Sequence, residues 1–165
     1  MPRSAWRPMQ QGDLGAVEAI AGQVHPGFFE APEVFADRLR LYPEGTFMLE
    51  LEGAPCGYVI SHPWRHGTLP PLNALLGTLP PAADTFYLHD LALLPGARGI
   101  GAAAAIIGQL TVSAREKPFP SMSLVAVNGS VSFWERHGFS VEIRPELTEK
   151  LMSYEAAVRL MVRRF

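Results

Sequence analysis

The chain has one cysteine, Cys56, among 165 residues. A lone thiol excludes an internal disulfide, and no other metal-binding side chains cluster near it to suggest zinc. Neither sign of charge is in excess: 14 Lys and Arg face 16 Asp and Glu, a formal net charge of −2. That balance argues against a nucleic-acid partner or a membrane surface. No apolar run is long enough to span a bilayer. The stretch Ala102 to Ile107 is far shorter than the ~20 residues a crossing needs. Met1 to Trp6 carry no apolar signal core, so the expected location is cytoplasmic.

What is present describes a globular chain, with 48% hydrophobic and 18% charged residues. A length of 165 residues fits one domain, 1–165, burying about two-thirds of its unfolded surface. Trp6 to Met9 reads as a first strand, broken by Pro8. A helix follows from Gly12-Asp13, with Asp13 as cap and Leu14, Val17, Ile20, Ala21 and Val24 at helical spacing, and His25-Pro26-Gly27 ends it. A second helix starts at Pro32 and runs to Pro43. Thr46 to Leu51 and Cys56 to Ser61 alternate as a hairpin.

His62 to Asp84 holds five prolines and two copies of Thr-Leu-Pro-Pro, at 68–71 and 78–81. It reads as a long ordered loop with one helical turn at Leu72 to Leu76. His62, Trp64, Arg65 and His66 crowd its start. Pro63 prevents a helix from aligning the two histidines on a metal, so a solvent-facing loop is expected there. After it, Thr85 to Leu94 is a strand, Gly99 to Arg115 a helix, Met122 to Val127 a strand and Ser130 to His137 a short helix. Phe139 to Ile143 and Ala156 to Val162 read as closing strands. The order β-α-α-β-β-β-α-β-α-β-β implies a mixed α/β sheet with helices on both faces.

The richest segment is Phe86 to Ala105, FYLHDLALLPGARGIGAAAA. An apolar strand stops at Pro95 and a helix reopens near Gly99, presenting free N–H groups and the positive end of a dipole. Gly99 and Gly101 let an anion approach the main chain, Gly96 suits a φ > 0 turn position, and Arg98 adds charge. A P-loop would need Gly-Lys-Ser/Thr where Gly101-Ala102-Ala103 stands. Gly99-x-Gly101-x-x-Ala104 superficially fits a dinucleotide fingerprint, but it lies late in the chain and the next strand ends at Val127-Asn128, with no acidic residue placed to hold a ribose.

A second segment narrows the choice. Arg98-Gly99-Ile100-Gly101 after Leu91-Ala92-Leu93-Leu94-Pro95 resembles motif A of the GCN5-related N-acetyltransferases. Asn128-Gly129-Ser130-Val131-Ser132-Phe133-Trp134-Glu135-Arg136-His137-Gly138-Phe139 resembles their motif B. Together the motifs are in the family's order and spacing, and the likeness covers nearly the whole chain. It implies a mostly antiparallel central sheet and acetyl-CoA as cosubstrate. In such a fold Arg98, Gly99, Ile100, Gly101 and Ala102 hold the pyrophosphate. The backbone of Leu91, Ala92 and Leu93, where the family strand bulges, holds the pantetheine and thioester, while Asn128, Phe133 and Trp134 lie beside the coenzyme. The implied reaction is acetyl transfer to a primary amine of a small molecule. No metal, nucleic acid or membrane is involved, and a homodimer is left open.

Leu88-His89-Asp90-Leu91-Ala92-Leu93 is similar to the Leu-His-Ala-Leu-Ala-Val strand of arylalkylamine N-acetyltransferases, which makes His89 and Asp90 the acid/base candidates. A histidine titrates near ~6.5, suited to moving a proton at neutral pH. Two positions depart from the family pattern. Trp134 replaces a tyrosine whose hydroxyl can protonate the leaving thiolate, and an indole N–H is too weak an acid for that. Solvent, Tyr87 or Tyr154 would have to serve; otherwise the domain is a catalytically weak acyl-CoA binder or sensor. Gly96 replaces a Gln or Arg, removing one pyrophosphate contact. Phe28, Phe29, Trp64 and Tyr87 are candidates to line the acceptor pocket, beneath the long loop.

Overall fold

The computed structural model describes residues 3–152 and 158–165. Strand β1 (Ser4–Pro8) is followed by a 3₁₀ turn (Gln11–Asp13) and helices α1 (Leu14–Val24) and α2 (Pro32–Leu41). Then come β2 (Thr46–Leu51), β3 (Ala54–Trp64) and β4 (Thr85–Leu93). Helix α3 (Ala102–Glu116), β5 (Ser121–Ala126), α4 (Val131–Glu135), β6 (Ser140–Val141), α5 (Thr148–Met152) and β7 (Arg159–Arg164) complete the chain. The strands form one sheet in the order β1-β2-β3-β4-β5-β7-β6. Every neighbouring pair is antiparallel except β4 and β5.

Two apolar layers clamp this sheet. On one face Ile106, Ile107 and Leu110 of α3 pack with Phe86, Leu88, Met122, Leu124 and Met161. On the other, Val17 and Ile20 of α1 and Phe35 of α2 pack with Met48, Tyr58 and Ile60. The central strands β3, β4 and β5 therefore bury most of both sets of alternating side chains, which is why the sequence is apolar without simple alternation there. The mixed α/β architecture with helices on both faces is as expected.

Several local expectations need correction. Asp13 bonds the Gln10 N–H (2.8 Å) and both terminal nitrogens of Arg7 (2.7 and 2.8 Å), and it makes no side-chain cap on α1 itself. α3 begins at Ala102, because Gly99 and Gly101 adopt φ of +75° and +81°, which breaks helical continuity. Gly96 is not among the residues with positive φ; it lies in a 3₁₀ turn over Pro95–Ala97. β6 is shorter than expected, and Ala156 lies outside the described residues.

The largest correction concerns β3, which continues to Trp64. Pairing of His62 with Tyr87 and of Trp64 with Thr85 extends the hairpin into what read as loop. His62 is thus a strand residue, 1% exposed, rather than solvent-facing. The irregular segment is Arg65 to Asp84, and residues 72 and 73 form a turn without a helix. It is tied down by polar contacts at several points along its length. Arg38 Nη1 donates to the Ala74 carbonyl (3.1 Å), and Asp37 accepts from the N–H groups of Leu76 (2.7 Å) and Gly77 (3.3 Å). Lys150 Nζ donates to the Leu69 carbonyl (2.7 Å), while Leu69 itself is buried against Tyr87 and Leu160.

Burial holds the His62 imidazole down at about 3. In the unfolded chain it protonates near ~6.5. Between those values the unfolded state binds the extra proton, so stability is complete above ~6.5 and falls with pH. We expect denaturant unfolding to show a loss of about 2 kcal/mol between pH 6.5 and 5 from this group. His62→Phe should flatten that part of the pH profile.

Candidate active site

The site begins with a defect in β4. Asp90 pairs with Ile60 and Leu88 with Ser61, so His89 is an extra residue opposite two consecutive positions of β3. This is a β-bulge, two residues before the Leu91–Leu93 segment where it was expected. A bulge bends its strand and reverses the alternation of faces beyond it. Both consequences are visible. Leu88 and Leu91, three residues apart, pack in the same α3-side core, and Ala92 turns to the α1–α2 side. β4 and β5 are paired only over Phe86–Leu88 and Met122–Leu124, and beyond that point they part.

Between the parted strands lies a cleft of about 510 Å³. It is lined from β4 by His89, Asp90, Leu91 and Leu93, and from the far wall by Asn128, Phe133 and Trp134. Arg98 and Ala103 close one end. Gly99, Ile100, Gly101 and Ala102 form the turn between those two residues. Ala102 is buried against Leu49 and Cys56, and the side chain of Ala92 points away from the cleft. The first N–H groups of α3 have no carbonyl to bond within the helix. Trp6 Nε1 donates to the Ala102 carbonyl (2.8 Å) and so fixes the start of α3 on β1.

At the opposite end a smaller cavity of about 50 Å³ opens, lined by His25, Phe28, Glu30, Leu72, Tyr87, His89 and Asp90, among others. The bulge sends His89 and Asp90 to the same side, where each meets a partner from the α1–α2 connection. His89 Nε2 is 2.7 Å from Glu30 Oε1, and His25 Nε2 is 2.9 Å from Asp90 Oδ1. The Tyr58 hydroxyl also donates to Asp90. Burial and the adjacent Asp90 carboxylate raise the Tyr58 phenol well above its usual value, so it stays protonated. Burial is the largest influence on His25 and works against its charge, but the hydrogen bond and charge of Asp90, the Leu91 backbone and the charge of Glu30 together outweigh it and raise the imidazole above the ordinary value.

A carboxylate only accepts, so each imidazole carries its hydrogen on Nε2. Asn128 Nδ2 lies 2.9 Å from His25 Nδ1, which occupies the remaining lone pair of that ring in its neutral form. Neutral His89 keeps its lone pair on Nδ1. Glu30 and His25 were missed in the sequence. They are 59 and 65 residues from their partners, with no local spacing to betray them. Of the aromatic candidates, Phe28 and Tyr87 line the smaller cavity. Phe29 is 66% exposed and Trp64 packs with the Leu69 cluster instead. Tyr154 lies outside the described residues.

Trp134 is 8% exposed and packs edge-on against Phe133 and Phe139, with centroids 5.0 and 5.6 Å away. Trp134→Tyr places an acid of pKa ~10 on the cleft wall. We expect turnover at saturating substrates to rise about tenfold, as for restoring a general acid. The smaller ring should cost about 1–2 kcal/mol of stability in thermal unfolding.

The profile of the acetyltransferase (GNAT) family matches residues 16–139. The chain belongs to that family, and it is an N-acetyltransferase whose cosubstrate is of the coenzyme A type. Comparison with curated protein sequences gives no match. Among solved structures, Ard1 from Thermoplasma volcanium is similar at 16% identity and TM-score 0.74, over 98% of this chain and 97% of that one. Arabidopsis thaliana Naa50 in complex with the bisubstrate analogue CoA-Ac-MVNAL is similar at 13% and 0.70, over 98% and 99%. PaiA N-acetyltransferase from Thermoplasma acidophilum in complex with coenzyme A is similar at 11% and 0.69, over 99% of each chain.

The residues present suit coenzyme A. An unpaired strand edge suits an amide-bearing extended arm, and the two left-handed glycines beside Arg98 and the start of α3 suit a pyrophosphate. Among the described residues, no group of three or more His, Cys, Asp or Glu is placed to hold a metal ion. None of the described helices is long and apolar enough to cross a membrane.

Proposed function

We propose that this enzyme moves an acetyl group from acetyl-CoA to the primary amine of a small molecule, with both substrates bound together in the cleft. The observation that carries this reading is the junction of the two cavities, where the unpaired edge of β4 ends beside His89 and Asp90. Acetyl-CoA supplies a thioester already activated for attack. Arg98 and the turn at Gly99 to Ala102 anchor its pyrophosphate, and the main chain of Leu91 to Leu93 pairs with its pantetheine arm. His89 takes the proton of the acceptor amine at Nδ1, while Glu30 holds Nε2 and stabilises the imidazolium that forms; as the amide bond forms the C–S bond breaks, and the coenzyme A thiolate takes its proton from solvent. Asp90, bridged to His25 and Tyr58, keeps that end of the cleft anionic and attracts a protonated amine.

Direct transfer is favoured over a cysteine-bound intermediate. Cys56 is buried in the cluster of Leu49, Ala97 and Ala102, and burial pushes its thiol up. A small acceptor is favoured because the acceptor-side cavity holds only about 50 Å³ beneath Leu72 of the Arg65–Asp84 segment. The test is thiol release from acetyl-CoA over a panel of small amines and of short peptides with free N-termini. Turnover on small amines, with peptides at least ~10²-fold poorer in kcat/KM, is expected. Faster turnover on the peptides would overturn the small-molecule assignment.

A further inference from the structure

The charged groups around the acceptor end are distributed unevenly. Its lining contributes two carboxylates, Glu30 and Asp90, and two imidazoles, His25 and His89, and among the described residues no Lys or Arg lines the smaller cavity. Among the described residues the one guanidinium on the wall of the larger cleft, Arg98, lies after β4, beyond Leu93 and away from this junction. Arg38 acts electrostatically on Glu30 and Tyr87 but is itself sequestered. It is 1% exposed, its Nη1 is held by Asp37 Oδ2 and the Ala74 carbonyl (both 3.1 Å), and it lines neither cavity.

Glu30 is not a wandering surface acid. Besides His89, it accepts the Asn73 N–H at Oε2 (3.1 Å), and Asn73 Oδ1 accepts the Ala31 N–H (2.7 Å). The irregular segment and the α1–α2 connection thus clasp each other around this carboxylate. We infer that Glu30, with Asp90, selects acceptors whose amine has no carboxylate beside it: simple amines and amino amides enter, and free amino acids are rejected. The inference rests on the reading of the cleft as an acetyl-transfer site.

The physical reason is that an α-carboxylate is carried wherever its amine goes. Near Glu30 and Asp90 it would be desolvated opposite like charge, with His25 already engaged by Asp90 and Arg38 held by Asp37 and the Ala74 carbonyl, and such juxtapositions discriminate strongly. Size alone does not explain the difference, because a carboxylate and a carboxamide are nearly the same shape.

The test uses two matched series: phenethylamine, phenylalaninamide and phenylalanine, and ethylamine, alaninamide and alanine. Acetylation is followed by thiol release, and binding to the CoA-loaded protein by calorimetry. The expected result is that in at least one series the amide is used and bound within about tenfold of the amine, while the acid is ~10²-fold or more poorer. Glu30→Gln should narrow the gap between amide and acid about tenfold, and Leu72→Lys, adding a cation to the same wall, should narrow it further. Amide and acid used equally, or neither series binding, would overturn the inference. The expected binding order with no thiol release would support the selectivity while refuting the acetyl-transfer reading.

Discussion

His89→Ala is expected to lower kcat by ~10²–10³ at neutral pH while leaving the dissociation constant of coenzyme A within about twofold. The split follows from where the residue stands. His89 is the bulged residue of β4, with Nε2 2.7 Å from Glu30 Oε1, and it faces the junction of the two cavities. The pyrophosphate cradle lies after the strand and does not involve it. A kcat unchanged by the substitution would assign proton transfer to another group.

Gly101→Val should do the opposite, weakening coenzyme A at least ~10-fold with a smaller effect on kcat at saturation. Gly101 sits at φ +81° immediately before α3, a conformation that costs an L-residue about 1–2 kcal/mol and a β-branched one more. Space is not the obstacle, since a Cβ added there meets nothing within 4 Å. Relief of the backbone strain would turn the first N–H groups of α3 away from the cleft. Calorimetric titration with coenzyme A checks the affinity, and thermal unfolding separates it from loss of fold. An unchanged affinity would mean that the turn does not hold the pyrophosphate.

The parts of this fold that could be read from the chain are those whose signals are local. Gly99, Gly101 and Pro95 mark a strand-turn-helix because their backbone preferences act within a few residues. The apolar runs of β4 and β5 likewise announce buried central strands. What escaped depends on tertiary pairing. His62 and Trp64 sit among prolines and charges that suggest a loop, yet pairing with Thr85–Tyr87 draws them into β3. The bulge at His89 is a property of two strands in register, so Leu88-His89-Asp90 alone does not reveal that both polar side chains face one way. Glu30 and His25 follow a helix stop and look like ordinary turn residues. Only the fold brings them against β4, and only there does their chemistry become visible.

A crystal structure of the protein with acetyl-CoA tests most directly whether the parted edge of β4 presents the thioester to His89. The pyrophosphate is expected on the N–H groups at Gly99 to Ala104, and the pantetheine paired with Leu91 to Leu93. The acetyl group should end at the junction of the cavities, within a water's reach of His89. Coenzyme bound elsewhere on the protein, or lying in the cleft with its acetyl group directed away from His89 and Asp90, would contradict it.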